Sequence, residues 1–282
     1  CIILLTFTVL RDVVWAVLYK AGVAVSLFEK QWVIRLNAVT AILALAASFS
    51  AMHSGLKIPE VKTVSIASDK IQEPQDVVLL SDLHIHRTIS PAKIKGIVER
   101  ANALNPDVIL LDGDILDDDV EKIKPITELL KGLKTKKGIF FVTGNHEFYV
   151  GYKETVAALK AAGFTFLENS GESVGGGLYV AGVPDVSGKR YGLDVNAEKA
   201  FEKASDSDFK LLMSHTPADF KAVDLTVSGH THGGQIFPFH VFVKFANKYL
   251  AGGYDGVYVT RGAGQWGPQM RFLAPSGITF KI

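Results

Sequence analysis

The chain has 282 residues, 48% hydrophobic, 10% aromatic and 21% charged, which suits one sizeable globular domain with an additional segment and excludes a disordered chain. Its 30 Lys plus Arg stand against 29 Asp plus Glu, and this balance argues against a dedicated nucleic-acid-binding protein, which normally carries a basic excess. The single cysteine, Cys1, excludes an internal disulfide and a thiolate metal cluster, so any metal must be held by nitrogen and oxygen.

In chain order, two apolar runs come first. Residues 1–19 are interrupted only by Arg11 and Asp12, and residues 36–52 carry no charge. Each is near the lower limit of the roughly 17–25 residues that span a bilayer. A pair of buried core helices is the alternative, but both runs lie at one end and the remainder reads as a complete domain. The expected division is therefore a membrane anchor over 1–56 and a catalytic domain over 57–282. Between the runs lie Lys20, Glu29, Lys30 and Arg35, which place this loop in the cytoplasm and everything after Met52 outside; Lys57 and Lys62 weaken the contrast. With Cys1 rather than Met in first place, the natural chain is expected to start further upstream.

From about Lys57 short β-rich apolar runs alternate with helical stretches, the pattern of an α/β domain. The predicted strands are 77–80, 108–111, 139–142, 178–183, 210–213 and 225–227. Predicted helices include 91–104, after a Ser90 N-cap with Pro91 at the first helical position, and 153–162.

Five of these strands end in polar clusters: Ser81-Asp82-Leu83-His84, Asp112-Gly113-Asp114, Gly144-Asn145-His146-Glu147, Ser214-His215-Thr216-Pro217, and Gly229-His230-Thr231-His232-Gly233-Gly234-Gln235. In open α/β sheets ligands bind beyond the carboxyl ends of the strands, so clusters far apart in sequence can converge. Asp82 and His84, like His230 and His232, sit two apart, and an extended segment would point both members to one face. Carboxylate, imidazole and amide donors without thiolate suit Mn, Fe or Zn, and a carboxylate can bridge two ions.

The ordered set Asp-x-His, Gly-Asp, Gly-Asn-His-Glu, His and Gly-His-x-His over residues 82–232 resembles the signature of the calcineurin-like metallophosphoesterases. That resemblance implies an α/β (α+β) fold of two mixed β-sheets in a sandwich flanked by helices, here preceded by N-terminal transmembrane helices. It also implies two divalent metal ions. Asp82, His84 and His232 would hold one, Asn145, His215 and His230 the other, with Asp114 bridging and His146 as general acid or transition-state stabiliser. Gly233-Gly234-Gln235, the stretch from Thr260 to Pro268, and Arg271-Phe272-Leu273 resemble a narrower branch of membrane-anchored or exported bacterial enzymes, some similar to UDP-2,3-diacylglucosamine hydrolases. On that resemblance the expected location is the bacterial cytoplasmic membrane, and the expected substrate a phosphate mono- or diester or a pyrophosphate, including a lipid-linked one. The sequence departs from many relatives at His86, where they carry glycine.

Single residues also have plain structural readings. His215 or His84 alone would be read as a structural histidine, and only their joint occurrence reverses this. Asp112 reads as a supporting carboxylate, and Asp117-Asp118-Asp119 as a solvated loop or helix start. His53 and His240 read as structural. Arg261 and Arg271 could pair with substrate phosphate or form structural salt bridges. His86 and Arg87 follow a candidate ligand in a loop and are the candidates for substrate contact. Trp266, between glycines, would cover the site or pack. The aromatic run 237–245 reads either as a buried strand or, if exposed, as an apolar rim at the site. Three functions compete: a phosphoesterase, a catalytically silent metal-binding scaffold tethered to the membrane, and a metal-dependent amide hydrolase. The intact set with His146 favours the first.

Overall fold

A computed structural model describes residues 2–22, 30–278 and 280–281; Cys1 and Glu29, used in the sequence reading, lie outside the described residues. Two helices, α1 (Ile2–Lys20) and α2 (Lys30–Leu56), form a hairpin at the N-terminal end. Both are long and apolar enough to cross a membrane by length and composition, with mean hydropathies of 1.9 and 1.7. Leu5, Val17, Ile42, Leu45 and Phe49 are exposed along them, which no water-soluble surface favours. Arg11, the charge that interrupts α1, pairs with Asp12 at 2.6 Å and hydrogen-bonds to Asn37 of α2, so the polar groups of the hairpin satisfy one another.

The strands in chain order are β1 (Glu60–Val61), β2 (Asp76–Leu80), β3 (Val108–Asp112), β4 (Gly138–Val142), β5 (Thr165–Phe166), β6 (Ser170–Gly175) and β7 (Leu178–Gly182). They continue as β8 (Phe209–Met213), β9 (Leu225–Ser228), β10 (Gly252–Tyr254), β11 (Val257–Val259), β12 (Gly277–Ile278) and β13 (Phe280–Lys281). Between them run α3 (Pro91–Ala103), α4 (Val120–Thr127), α5 (Asn145–Val150), α6 (Tyr152–Ala161), α7 (Ala197–Ala200) and α8 (Phe239–Ala246).

Strands β1 and β12 form a small parallel pair, and two larger sheets have the orders β13-β2-β3-β4-β5 and β10-β11-β9-β8-β7-β6, both parallel inside, the first antiparallel at one edge and the second at both. The alternation of strand side chains builds the layers. Val77, Leu79, Val108 and Leu110 face Val180, Leu211, Met213 and Val227 between the sheets. Val78, Leu80, Ile109 and Leu111 point the other way, onto Ile94 and Ile97 of α3, Ile123 of α4 and Leu159 of α6. Tyr179, Ala181 and Leu212 cover the outer face of the second sheet with Ala200. Burial on both faces is why these strands are continuous apolar runs rather than alternating ones, each large side chain adding roughly 1.5–3 kcal/mol. The expected sandwich of two mixed sheets flanked by helices, behind two apolar helices, is the fold observed.

The last turns of α2 dock directly on this sandwich. The Ala51 carbonyl accepts from the Arg271 N–H at 2.8 Å, and the Gly55 carbonyl from the buried Lys93 Nζ at 2.6 Å. Burial, with Arg271 nearby, pulls the Lys93 ammonium down to about 8, which makes its partners matter. A chain cut at Lys57 loses both carbonyls, at about 1–3 kcal/mol for each buried group left unsatisfied. Such a chain is expected to fold and yet melt several degrees below one starting at Ser48, at roughly 2–4 °C per kcal/mol; equal Tm values in a thermal melt would contradict this.

Candidate dinuclear metal centre

Strands β2, β3, β4, β8 and β9 deliver their terminal loops to one edge of the sandwich, and the loops do not continue extended. Asp82, His84, Asp114, His230 and His232 all take left-handed backbone, with φ of 55°, 45°, 49°, 68° and 51°. Each such residue costs on the order of 1–3 kcal/mol and persists only where its surroundings enforce it. Here cross-strand hydrogen bonds do so: the N–H of Asp82 donates to the Gly113 carbonyl at 3.1 Å and that of His84 to the Asp114 carbonyl at 2.9 Å. The expectation that an extended segment aims Asp82 and His84 is thus replaced by a tight turn, and His230 and His232 part company to join different groups. Gly113, at φ 72°, has no room for a side chain, since a Cβ there would stand 2.6 Å from both the Gly144 nitrogen and His215 Nδ1.

Three sets of donor atoms converge, each within 4.8 Å: Asp82, His84 and His232; Asp114, His215 and His230; and His84, Asp114 and His146. In the first set His232 Nε2 lies 3.1 Å from His84 Nε2 and 3.4 Å from Asp82 Oδ1. Asp114 Oδ2 reaches both sides, 3.7 Å from His84 Nε2 and 3.1 Å from His215 Nε2. Asn145 Oδ1 stands 2.9 Å from His230 Nδ1, which adds it to the second set.

The histidine tautomers test whether these residues fit cations. His215 Nδ1 lies 2.7 Å from the Asp112 carbonyl, a pure acceptor, so the ring proton is assigned to Nδ1. In the neutral ring that leaves Nε2 as a lone pair in a fully buried position, facing the Asp114 carboxylate at 3.1 Å. Two acceptors aimed at each other suit a shared cation, and a backbone carbonyl holding the far nitrogen is the usual way a ligating imidazole is oriented. All the donors are nitrogen and oxygen, and the donor set fits two divalent ions of the Mn, Fe or Zn class.

Burial opposes a charge on His215, yet Asp114 and then Asp82 raise the imidazole pKa well above the ordinary histidine value, so a proton and a metal ion compete for the same place on Nε2. Burial alone would raise Asp114, yet His215, then His84 and His146, hold it well below the ordinary carboxylate range. Burial likewise opposes ionisation of Asp82, and His232 and His215 overcome it. Burial drives His232 down to about 3, against the opposite pull of Asp82.

Supporting residues refine the sequence reading. The Asp run divides into three roles. Asp117, read there as solvated, places Oδ1 2.5 Å from His146 Nδ1 and Oδ2 3.3 Å from His84 Nδ1. Asp118 holds the Arg87 guanidinium at 2.7 and 3.0 Å, and Asp119 caps α4 through the Glu121 N–H. The spacing of Asp117, three residues after Asp114 in a strand-end loop, was the signal available for it. Asp112 contributes its carbonyl, while its carboxyl, without a hydrogen-bond partner, is pushed up to about 8 by burial. Arg271 is not a substrate contact: it is buried and donates to the carbonyls of Gly264, Arg261, His232 and Ala274.

Glu147 carried no assigned role in the sequence reading. Its buried carboxylate accepts the N–H groups of Asp114, Ile115, Leu116 and Gly144 at 2.9, 2.7, 3.1 and 2.6 Å, tying two of the donor loops together. In Glu147→Gln one amide NH2 would face those donors, leaving about two of them unsatisfied at about 1–3 kcal/mol each. A Tm lower by several degrees is expected, at roughly 2–4 °C per kcal/mol, and an unchanged Tm would remove Glu147 from this role.

A cavity of about 440 Å³ opens over the cluster. His84, Asp114, Asn145, His146, His230 and His232 line its polar side, and Tyr149, Ile236, Phe239, Val243 and Trp266 the apolar side. Trp266, 6.3 Å from the His146 ring, therefore covers the site. His86 and Arg87 are not among the residues lining the cavity, and the Arg87 guanidinium pairs with Asp118 at 2.7 Å. The run 237–245 is an exposed helix, α8, and not a strand.

Comparison with known proteins gives the following. A profile of the calcineurin-like phosphoesterase family matches residues 76–234. An uncharacterized metallophosphoesterase of Helicobacter pylori is 37% identical over 240 residues, covering 81% of this chain and 65% of that protein. A transmembrane protein with metallophosphoesterase domain from Danio rerio is 32% identical over 266 residues, covering 86% of this chain and 60% of that protein. The chain thus spans somewhat less than two thirds of the length of these relatives. Among solved structures, a 5'-nucleotidase precursor from Thermus thermophilus aligns with a TM-score of 0.44 at 18% identity, over 68% of this chain and 50% of that one.

Proposed function

We propose that this chain, which belongs to the calcineurin-like phosphoesterase family, is a dinuclear metal-dependent phosphoesterase that cleaves phosphate mono- or diesters or a pyrophosphate at the edge of a membrane. The observation that carries this is Asp114, whose carboxylate faces donors of two separate sets, one of them the fully buried Nε2 of His215. In this reading Asp82, His84 and His232 would hold one ion and Asn145, His215 and His230 the other, with Asp114 shared by both. When bound, such a pair supplies Lewis acidity at the phosphoryl oxygens and a nucleophilic water at neutral pH.

The chain's own residues do the rest. Asp82 and Asp114 balance positive charge in a buried pocket, and the left-handed turns fix the donors before substrate arrives. His146 holds the proton for the leaving oxygen. Burial opposes its protonated form, but the hydrogen bond to Asp117, then Asp114, raises its pKa above the ordinary histidine value. With Nδ1 committed to Asp117, Nε2 is the atom that donates. Trp266 and Tyr149 beside it narrow the access of bulk water.

In Asp117→Asn this support is lost. Protonated His146 is the active form, so activity falls as pH rises through its pKa; lowering that pKa moves the alkaline limb of kcat to lower pH. We expect the shift together with a roughly 10–100-fold lower kcat, and a profile with an unmoved alkaline limb would contradict the role.

Residues 1–56 act as the membrane anchor in this reading, with the catalytic domain outside the cytoplasmic membrane of a bacterium. The apolar side of the cavity suits a lipid-linked phosphate or pyrophosphate, of the kind in a UDP-diacylglucosamine. The test is a panel of phosphate esters and pyrophosphates offered to the full chain in detergent with Mn. Turnover that needs metal is expected; two bound metals without turnover of any ester would leave a metal-binding scaffold instead.

A further inference from the structure

Helix α8 inverts the pattern of a helix on a water-facing surface. Its half-buried positions are His240 and Val243, with Asn247 just past its end, so the stripe at i, i+3 and i+7 that faces the protein is mostly polar. The side chains turned away are Phe239, Val241, Phe242 and Phe245, exposed by 42%, 40%, 63% and 87%. No side chain of α8 is buried. Phe239, Phe242 and Phe245 follow one another at intervals of three along one outer face, with the rings of Phe239 and Phe242 6.4 Å apart. Three phenylalanines on the outside of an eight-residue helix have a physical reason only if something apolar lies against them.

The hairpin says what that is. The N–H of Phe239 donates to the Ile236 carbonyl at 2.8 Å, and the Ile236 side chain is buried in one cluster with Ile3, Ala44, Ala47 and Ala51, against which Met270 and Phe272 pack. Helix α1 begins at this cluster and α2 runs out of it into the catalytic domain. The level at which the hairpin leaves an apolar phase is therefore the level of α8, one turn of chain away. Leu273, 72% exposed, follows Phe272 beside the same cluster.

We propose that α8 is an interfacial helix whose Phe239, Phe242 and Phe245 lie in the headgroup layer of the bilayer that α1 and α2 enter. Lys244, exposed between Phe242 and Phe245, reaches up to lipid phosphates while its stem stays apolar. Since Phe239 and Val243 also line the cavity over the metal donors, its mouth opens on the lipid surface, and a phosphate carried by a membrane amphiphile reaches Asp114 without leaving that surface. This inference rests on the membrane reading of the hairpin and is independent of whether the site is catalytic.

The test uses the full chain with Cys1→Ser, reconstituted in vesicles of phosphatidylethanolamine and phosphatidylglycerol. Single cysteines are introduced as Phe242→Cys, Phe245→Cys, Leu45→Cys on the hairpin and Lys203→Cys on the exposed far side, and labelled with a polarity-sensitive fluorophore. Lipids with a nitroxide near the headgroup are expected to quench the labels at 242 and 245 several-fold more than the one at 203, and aqueous iodide correspondingly less. Labels at 242 and 245 that behave like 203, while 45 is quenched by nitroxide deep in the acyl region, would overturn the role of α8 and leave the anchor standing. An unquenched label at 45 as well would overturn both. Phosphoesterase activity enters none of these readouts.

Discussion

Asp114→Ala is expected to release both metal ions and to bring phosphate-ester hydrolysis to the level of the metal-free blank. Asp114 Oδ2 faces both donor sets, 3.7 Å from His84 Nε2 and 3.1 Å from His215 Nε2. Removing it leaves mostly neutral donors to hold two dications in a buried pocket, and an uncompensated charge there is among the costliest arrangements in a protein. The fold should survive, because the loop around Asp114 is held through its backbone by the Glu147 carboxylate, with Asp114 N at 2.9 Å. Metal content by mass spectrometry, with circular dichroism as the control for folding, is the measurement. Two ions retained in a folded Asp114→Ala chain would remove the bridging assignment.

His146→Ala is expected to do the reverse, keeping both ions while kcat drops by roughly 10²–10⁴-fold, the usual contribution of a positioned general acid. The drop should be larger for an alkyl phosphate than for a nitrophenyl phosphate, since a good leaving group needs no proton. His146 is only partly buried, its Nδ1 is held by Asp117, and its ring packs edge-on against His84 at 4.7 Å. A donor atom of His146 also lies within 4.8 Å of donors from His84 and Asp114. The ion count therefore decides between acid and ligand: loss of metal in His146→Ala would make it a ligand.

Much of this molecule was legible in the sequence because both faces of its central strands are buried. The predicted runs 77–80, 108–111, 139–142, 210–213 and 225–227 fall on β2, β3, β4, β8 and β9 with ends displaced by at most one residue. Helix α3 was marked by Ser90 and Pro91. Strand β6 was missed because Ser170–Gly175 is a polar, largely exposed edge with no apolar period to read. For the run 237–245 the sequence left a buried strand and an exposed apolar rim both open, because alternating Phe and Val suits either; the stretch is exposed, and it is helical over Phe239–Ala246. At the site, residue types and order marked which loops converge, and those loops do. How they converge was hidden, since five left-handed residues replace the extended geometry that a spacing of two suggests. Asp117 was hidden too, inside a run of three carboxylates whose separate partners only the fold could assign.

The most direct measurement of the central claim is anomalous scattering from crystals of the full chain grown with Mn. Two peaks are expected roughly 3.5–4 Å apart, the usual separation in a two-metal site. Asp82, His84 and His232 should surround one, Asn145, His215 and His230 the other, with the Asp114 carboxylate between them. A single peak, or two peaks that Asp114 does not join, would contradict a dinuclear phosphoesterase site.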